Sequence, residues 1–215
     1  MKISGAIFDM DGTLIDSMYL WEGIGVRYAR SQGVEPKPGF EEEISEMSME
    51  MVSEYIQKEY GVSQTADEIR AGINKLVEPL YRDEVQAKKG VIAFLEELKR
   101  RGIPMCVATA TDIQLVELVL GRLDMIKYFE GIYTCTMVGA GKQFPDVYEA
   151  ALKKLGTPKG ETFVFEDAVY AAKTAKAAGF PIAAVYDPAT GEDGWREMKS
   201  MADMIIEDYD KSLNF

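Results

Sequence analysis

The sequence contains no histidine. Without imidazole there is no Ser-His-Asp triad, no Cys-His dyad, no His-ligated zinc and no His general base. Proton chemistry must fall to carboxylates, Lys, Tyr, Cys or a metal-bound water. Cysteine is scarce as well: Cys106 and Cys135 are the only two. They are too few for a disulfide framework and lack metal-site spacing. Each reads as a small reduced hydrophobe in or near a strand, in keeping with an expected cytoplasmic location. No apolar run approaches the about 20 residues of a membrane helix, and the stretch from Met1 to Gly12 meets acids too soon for a secretory signal. Basic residues are outnumbered 24 to 36, a net charge of −12, which argues against nucleic acid and anionic membrane as partners.

What is present is an ordinary core, with 47% hydrophobic residues in a chain of 215. Residues 3–8 form a short apolar run that breaks at Asp9 and reads as a buried strand. Residues 17–32 carry Leu20, Trp21, Ile24 and Tyr28 at helical spacing, with Gly33 as the cap. Residues 35–89 are rich in Glu and Met, show no convincing strand, and read as short helices. Within them Thr65 and Glu68 fit a capping box, and Glu41, Glu42, Glu43 and Glu46 read as a solvated helix face. From Gly90 onward strands and helices alternate. Strands are expected at 104–108, 131–135, 162–165, 181–185 and 204–206, and helices at 91–101, 112–123, 145–155, 168–178 and around Trp195.

That alternation implies a parallel sheet with helices on both faces. The expected architecture is a doubly wound, Rossmann-like α/β core made of residues 1–16 and 90–215. A helical cap, residues 17–89, is inserted after the first strand. In such sheets ligands bind beyond the C-terminal strand ends. The residues expected there are Asp9 and Asp11 after the first strand, Thr109 after the second, and Glu166 with Asp167 after the strand at 162–165. Lys142 lies in a Gly-rich loop before the helix at Asp146. Four carboxylates in one place repel, at roughly 4 kcal/mol per pair 4 Å apart for an effective dielectric near 20. A hard divalent cation resolves the conflict, and oxygen-only ligands favour magnesium, with a phosphate-bearing small metabolite as its usual partner. Lys142 and Thr109 suit a phosphoryl group. Of Asp9 and Asp11, one carboxylate can be the nucleophile and the other, two residues on, the general acid and base.

The run Phe8-Asp9-Met10-Asp11-Gly12-Thr13-Leu14-Ile15-Asp16-Ser17 resembles the first motif of the haloacid dehalogenase superfamily of phosphotransferases. Thr109, Lys142 and Glu166-Asp167 are similar to its second, third and fourth motifs, in order and spacing. The resemblance implies that Asp9 is the nucleophile and Asp11 the acid/base, while Thr109 and Lys142 hold the transferring group. Magnesium is implied on Asp9, the Asp11 backbone carbonyl and Asp167, with Glu166 as an additional or water-mediated ligand. Thr13 is implied to orient the loop. The insert resembles the cap of the β-phosphoglucomutase-like and phosphoglycolate-phosphatase-like branch, with Asp16 and Ser17 at its hinge; a helix N-cap is the other reading of Asp16. The expected activity is hydrolysis of a small phosphomonoester such as a sugar phosphate or phosphoglycolate, by a monomer or weak homodimer.

Several residues depart from the family pattern: Ala110, Gln143, Ala168 and Ala171 replace its usual Asn or Ser, Pro, Ser and Gly. Where the mutase carries a cap arginine, the comparable segment Ser45-Glu46-Met47-Ser48-Met49-Glu50 has no basic residue, which favours a phosphatase over a mutase. A receiver-type phosphotransfer module also uses Asp, Lys and magnesium but lacks such an insert. The Gly-rich loop at Lys142 is not a P-loop, since Gln143 follows the lysine, and Asp9 does not open a calcium loop, since the twelfth position is Leu20.

Overall fold

The structure, a computed structural model, describes residues 2–44, 47 and 49–212. The first strand, β1 (Gly5–Phe8), is buried throughout, with Ala6 and Phe8 in one hydrophobic cluster and Ile7 in another. That alternation belongs to a strand covered on both faces.

The chain turns into a short strand, β2 (Ile15–Asp16), then runs through the helices α1 (Met18–Trp21), α2 (Ile24–Ser31), α3 (Phe40–Ile44), α4 (Met49–Tyr60) and α5 (Ala66–Asp83). It returns in β3 (Gln86–Ala87). Strands β2 and β3 pair antiparallel, Ile15 opposite Ala87 and Asp16 opposite Gln86. The Lys88 amide extends the pairing by donating to the Leu14 carbonyl at 2.9 Å. The helical segment thus leaves and re-enters at one place. The sequence reading held no strand here, because two residues are too few to display an alternating pattern. Asp16 lies in β2 and is not a helix cap.

The single helix expected over 17–32 is two helices, divided at Gly23 with φ +69°, a conformation glycine adopts without steric cost. Helix α5 opens as expected: the Glu68 amide donates to Thr65 Oγ1 at 3.2 Å and the Thr65 amide to Glu68 Oε2 at 2.8 Å. The solvated acidic face needs correction at Glu41. It is half-buried beside the Phe40 and Ile44 stripe, and its Oε1 accepts from the Val26 amide at 3.2 Å. Glu43 is exposed. Glu46 lies outside the described residues, as do Ser45 and Ser48 of the segment compared with the mutase.

The rest alternates: α6 (Val91–Arg100), β4 (Met105–Thr109), α7 (Ile113–Arg122), β5 (Gly131–Thr134), α8 (Cys135–Val138), α9 (Asp146–Leu155), β6 (Thr162–Glu166), α10 (Val169–Ala177), β7 (Ile182–Val185), α11 (Gly191–Met201) and β8 (Met204–Ile206). Cys135, expected in a strand, instead opens the short α8, whose start is capped by the Thr134 side chain accepting from Met137 N.

Six strands form one parallel sheet in the order β5-β4-β1-β6-β7-β8. Met105, Val107, Phe163, Phe165 and Val185 join Phe8 on one face, under α6 and α7. Cys106, Ala108, Val164 and Ile182 join Ile7 on the other, under α9, α10 and α11. Phe8 stacks on Phe165 with ring centroids 4.2 Å apart, which locks β1 to β6. The chain winds outward from β1 to β4 and β5, then crosses back to β6 and winds the other way. The reversal falls between β1 and β6. Helices there lie on opposite faces, and a crevice opens beyond the strand ends.

Candidate active site

Asp9 follows β1 and Asp167 follows β6, whose last residue is Glu166; the three flank the crevice. Their carboxylate oxygens lie within 4.8 Å of one another, and all three residues are buried. Gly12 makes the approach possible. Its φ is +76°, and a Cβ there would collide with Asp167 Oδ2. Thr13 Oγ1 donates to Asp167 Oδ1 at 3.0 Å, binding the turn after β1 to the end of β6.

Lys142 reaches the same cluster and is only 3% exposed. Its ammonium donates to Asp9 Oδ1 and, at 2.5 Å, to Glu166 Oε1. Tyr148, on α9, also donates to Glu166 Oε1 at 2.8 Å, and the Ala168 amide reaches Oε2 at 3.3 Å. Glu166 is therefore a fully buried acid whose first task is to hold Lys142 beside Asp9. Burial alone would lower the Lys142 ammonium, yet Asp9 and Glu166 hold it well above the usual lysine value.

Asp11 points elsewhere. Its Oδ1 accepts from Ser17 Oγ at 2.6 Å, Trp21 Nε1 at 3.3 Å and the Tyr81 hydroxyl, and its Oδ2 from Thr111 Oγ1 at 2.6 Å. Its carboxylate is not in the three-residue acidic cluster. Two carboxylates two residues apart thus occupy separate environments, one beside a lysine among acids and the other among hydroxyls and an indole. Thr109 is 1% exposed at the end of β4, and its Oγ1 accepts from the Thr111 amide at 3.1 Å.

The acids bear the cost of their crowding. Burial, opposed by Lys142 and assisted by Glu166, Asp167 and Asp11, raises Asp9 well above the carboxylate range. Burial, then Glu166 and Asp187, push Asp167 up to about 8 despite the Thr13 hydrogen bond. Two buried carboxyls that hold their protons this tightly, with only oxygen donors around them, fit a hard divalent cation, which would let both ionise.

Besides Tyr148, four contributors were not singled out from the sequence. Trp21 and Tyr81 lie 10 and 70 residues from Asp11, and no local pattern announces them. Thr111 repeats the two-residue spacing of Asp9 and Asp11 in the next loop, which was visible. Asp187 follows β7, and asking what lies beyond that strand would have found it. It is 2% exposed; Oδ1 accepts from the Ala189 amide at 2.9 Å. The Lys88 ammonium lies 2.8 Å from Oδ2 without hydrogen-bond alignment, so that oxygen has charge compensation but no donor.

These residues open into a cavity of about 820 Å³, walled on the sheet side by the strand-end loops and on the far side by α1 to α5. Among the described residues no helix is long and apolar enough to cross a membrane.

A family model described as haloacid dehalogenase-like hydrolase matches residues 3–179. The chain is similar to hexitol phosphatase A of Escherichia coli (strain K12), 28% identical over 191 residues, 88% of this chain and 86% of that one. It is also similar to the phosphorylated carbohydrates phosphatase of Thermotoga maritima, 25% identical over 177 residues, 82% of each chain. Among solved structures, a hydrolase from Pseudomonas syringae superposes with a TM-score of 0.79 at 26% identity, covering 98% of this chain and 96% of that one.

Proposed function

The chain belongs to the haloacid dehalogenase-like hydrolase family as an enzyme of phosphatase type, and from that premise we propose that it is a magnesium-dependent phosphatase of a small phosphomonoester, with Asp9 as nucleophile. The observation that carries the reading is the meeting of Asp9, Lys142, Glu166 and Asp167 in the β1–β6 crevice while Asp11, two residues from Asp9, is held apart.

In this reading an Asp9 oxygen attacks phosphorus, the ester P–O bond breaks, and the departing alkoxide takes a proton from Asp11. Asp11, now ionised, takes a proton from an incoming water, whose oxygen attacks the aspartyl-phosphate. The Asp9–phosphorus bond breaks and phosphate leaves. Lys142 and Thr109 hold the phosphoryl oxygens through both steps. Asp9, Asp167 and the Asp11 backbone carbonyl would hold magnesium, with Glu166 as an additional or water-mediated ligand. Magnesium supplies positive charge for the acids and the phosphoryl oxygens.

Residues 17–89 act as a cap over a core of residues 1–16 and 90–215, excluding water during transfer. The paired β2 and β3 are the hinge. Named relatives that act on hexitols and phosphorylated carbohydrates support a phosphorylated carbohydrate as the substrate. They also favour a phosphatase over a mutase or a receiver-type module.

Replacing Asp9 by Asn tests the reading. Hydrolysis of p-nitrophenyl phosphate should vanish while the circular dichroism spectrum and magnesium-free melting temperature stay near wild type. Wild-type turnover by that variant would sink the proposal.

A further inference from the structure

The far wall of the cavity has a composition that restricts what the phosphate can be attached to. It is lined by Trp21, Ile24, Ile44, Met47 and Val52, with Asn74 as its one amide among the described residues. Its charged groups are acids: Asp16 and Glu22 are exposed at the rim, and Glu41 is half-buried. Among the described residues neither Glu22 nor Glu41 takes part in a salt bridge. Lys142 is the one cation lining the cavity among those residues, and Asp9 and Glu166 already share it. No Lys or Arg occurs anywhere in residues 38–57, which supply much of this wall. On α5, Arg70, one turn before Asn74, is turned to Asp67 and Asp112, and Lys75 is exposed and does not line the cavity.

We infer that the alcohol released by this site is uncharged or cationic and presents an apolar face, and that esters bearing a second anion are poor substrates. The inference rests on the phosphatase reading above. The phosphate being cleaved has Lys142 to meet it, and the cation that Asp9 and Asp167 would hold. A second phosphate or a carboxylate on the leaving group would instead face Glu22 and Glu41 across a wall with no counter-charge, and it would lose water without gaining a partner. An ammonium there meets acids, and an apolar body meets Trp21 and the aliphatic side chains. Carbohydrate monophosphates, whose C–H faces can lie on an indole, remain acceptable. Bisphosphates and phosphoglycolate-like acids, the latter expected from the family resemblance, do not.

Three esters of matched length separate the possibilities: n-butyl phosphate, 3-aminopropyl phosphate and 2-carboxyethyl phosphate. The kcat/KM for the first two should exceed that for the third at least tenfold, with p-nitrophenyl phosphate as the control for the phosphatase reading. In the double variant Glu22→Gln, Glu41→Gln the gap between the amino and carboxylate esters should shrink at least threefold. If p-nitrophenyl phosphate is hydrolysed and the carboxylate ester is turned over as well as the butyl ester, the inference fails alone. An unchanged gap in the double variant removes the role given to these two acids. Release from none of the four esters overturns the phosphatase reading and this inference with it.

Discussion

The hydroxyl of Tyr81, on the last turn of α5, donates to the carboxylate of Asp11, in the turn after β1. Trp21 Nε1 donates to both, at 3.0 Å to the tyrosine oxygen and 3.3 Å to Asp11 Oδ1. The long helix of the inserted segment is therefore fastened to the proposed acid/base itself. Burial, and then Asp11, keep the Tyr81 phenol well above its usual value, so it stays a donor. Tyr81→Phe removes one of the hydrogen bonds to the Asp11 carboxyl, and about 0.5–1.5 kcal/mol of stability is the usual loss for such a bond. The expected kinetic effect is a fall in kcat of about tenfold, equal to about 1.4 kcal/mol, with KM little changed. Urea titration and steady-state kinetics check the two parts. Wild-type kcat in a destabilised Tyr81→Phe would mean that the contact is only structural.

Gly12 is the second test. Alanine there must adopt φ near +76° and collides with Asp167, and such a backbone costs of order 1–3 kcal/mol in a residue with a Cβ. Gly12→Ala should lower the melting temperature and abolish its rise with magnesium. A variant that keeps the full magnesium response would show that Asp167 does not need this close approach.

The crowded acids set the response to pH. Asp167 is raised to about 8 in the fold, against 3.8 for the free side chain. The folded state therefore binds the extra proton between those values. The stabilisation is complete below about pH 4 and is lost as pH rises through 8. The metal-free protein should lose stability from this site between pH 5 and 8, and Asp9 adds to the same trend. Magnesium competes with those protons, so it should raise the melting temperature more at pH 8 than at pH 5. At a hundred times its Kd the gain is about 2.7 kcal/mol, or about 5–10 °C for a chain of this size. Scanning calorimetry at the two pH values, with and without magnesium, decides it; a larger shift at pH 5 contradicts the assignment.

Both thiols should be silent in the native protein. Cys106 is fully buried and Cys135 is 5% exposed. Burial first, with neighbouring acids, pushes their thiols up to about 12 and about 11, and the thiolate is the reactive form. A thiol-disulfide reagent at pH 8 should find neither group in the folded chain and both in guanidinium chloride. Rapid modification of Cys106 would mean that the sheet opens locally, and of Cys135 that α8 does.

The sheet and its strand ends were readable because each is a local pattern. An apolar run that stops at Asp9, another that stops at Glu166-Asp167, and glycines after helices are all written in consecutive residues. Lys142 was readable as a charge in a Gly-rich loop, though not that Glu166, itself fixed by Tyr148, would hold it. Tyr81, Trp21 and the β2–β3 pair escaped because their meaning depends on contacts that span tens of residues. Glu41 was misjudged as solvent-facing because a run of acids hides which one borders the buried stripe of Phe40 and Ile44.

The central position of β1 also governs the order in which the molecule can be assembled. Its two sheet neighbours are β4 and β6, which begin at Met105 and Thr162. At ~5–20 residues per second on the ribosome, β1 waits roughly eight to thirty seconds for β6. Asp9 therefore meets Asp167 only after β6 has been made. The inserted helices, whose contacts are largely among themselves, can form during that wait. A nascent chain halted before Thr162 should therefore carry a folded helical segment and no acidic cluster.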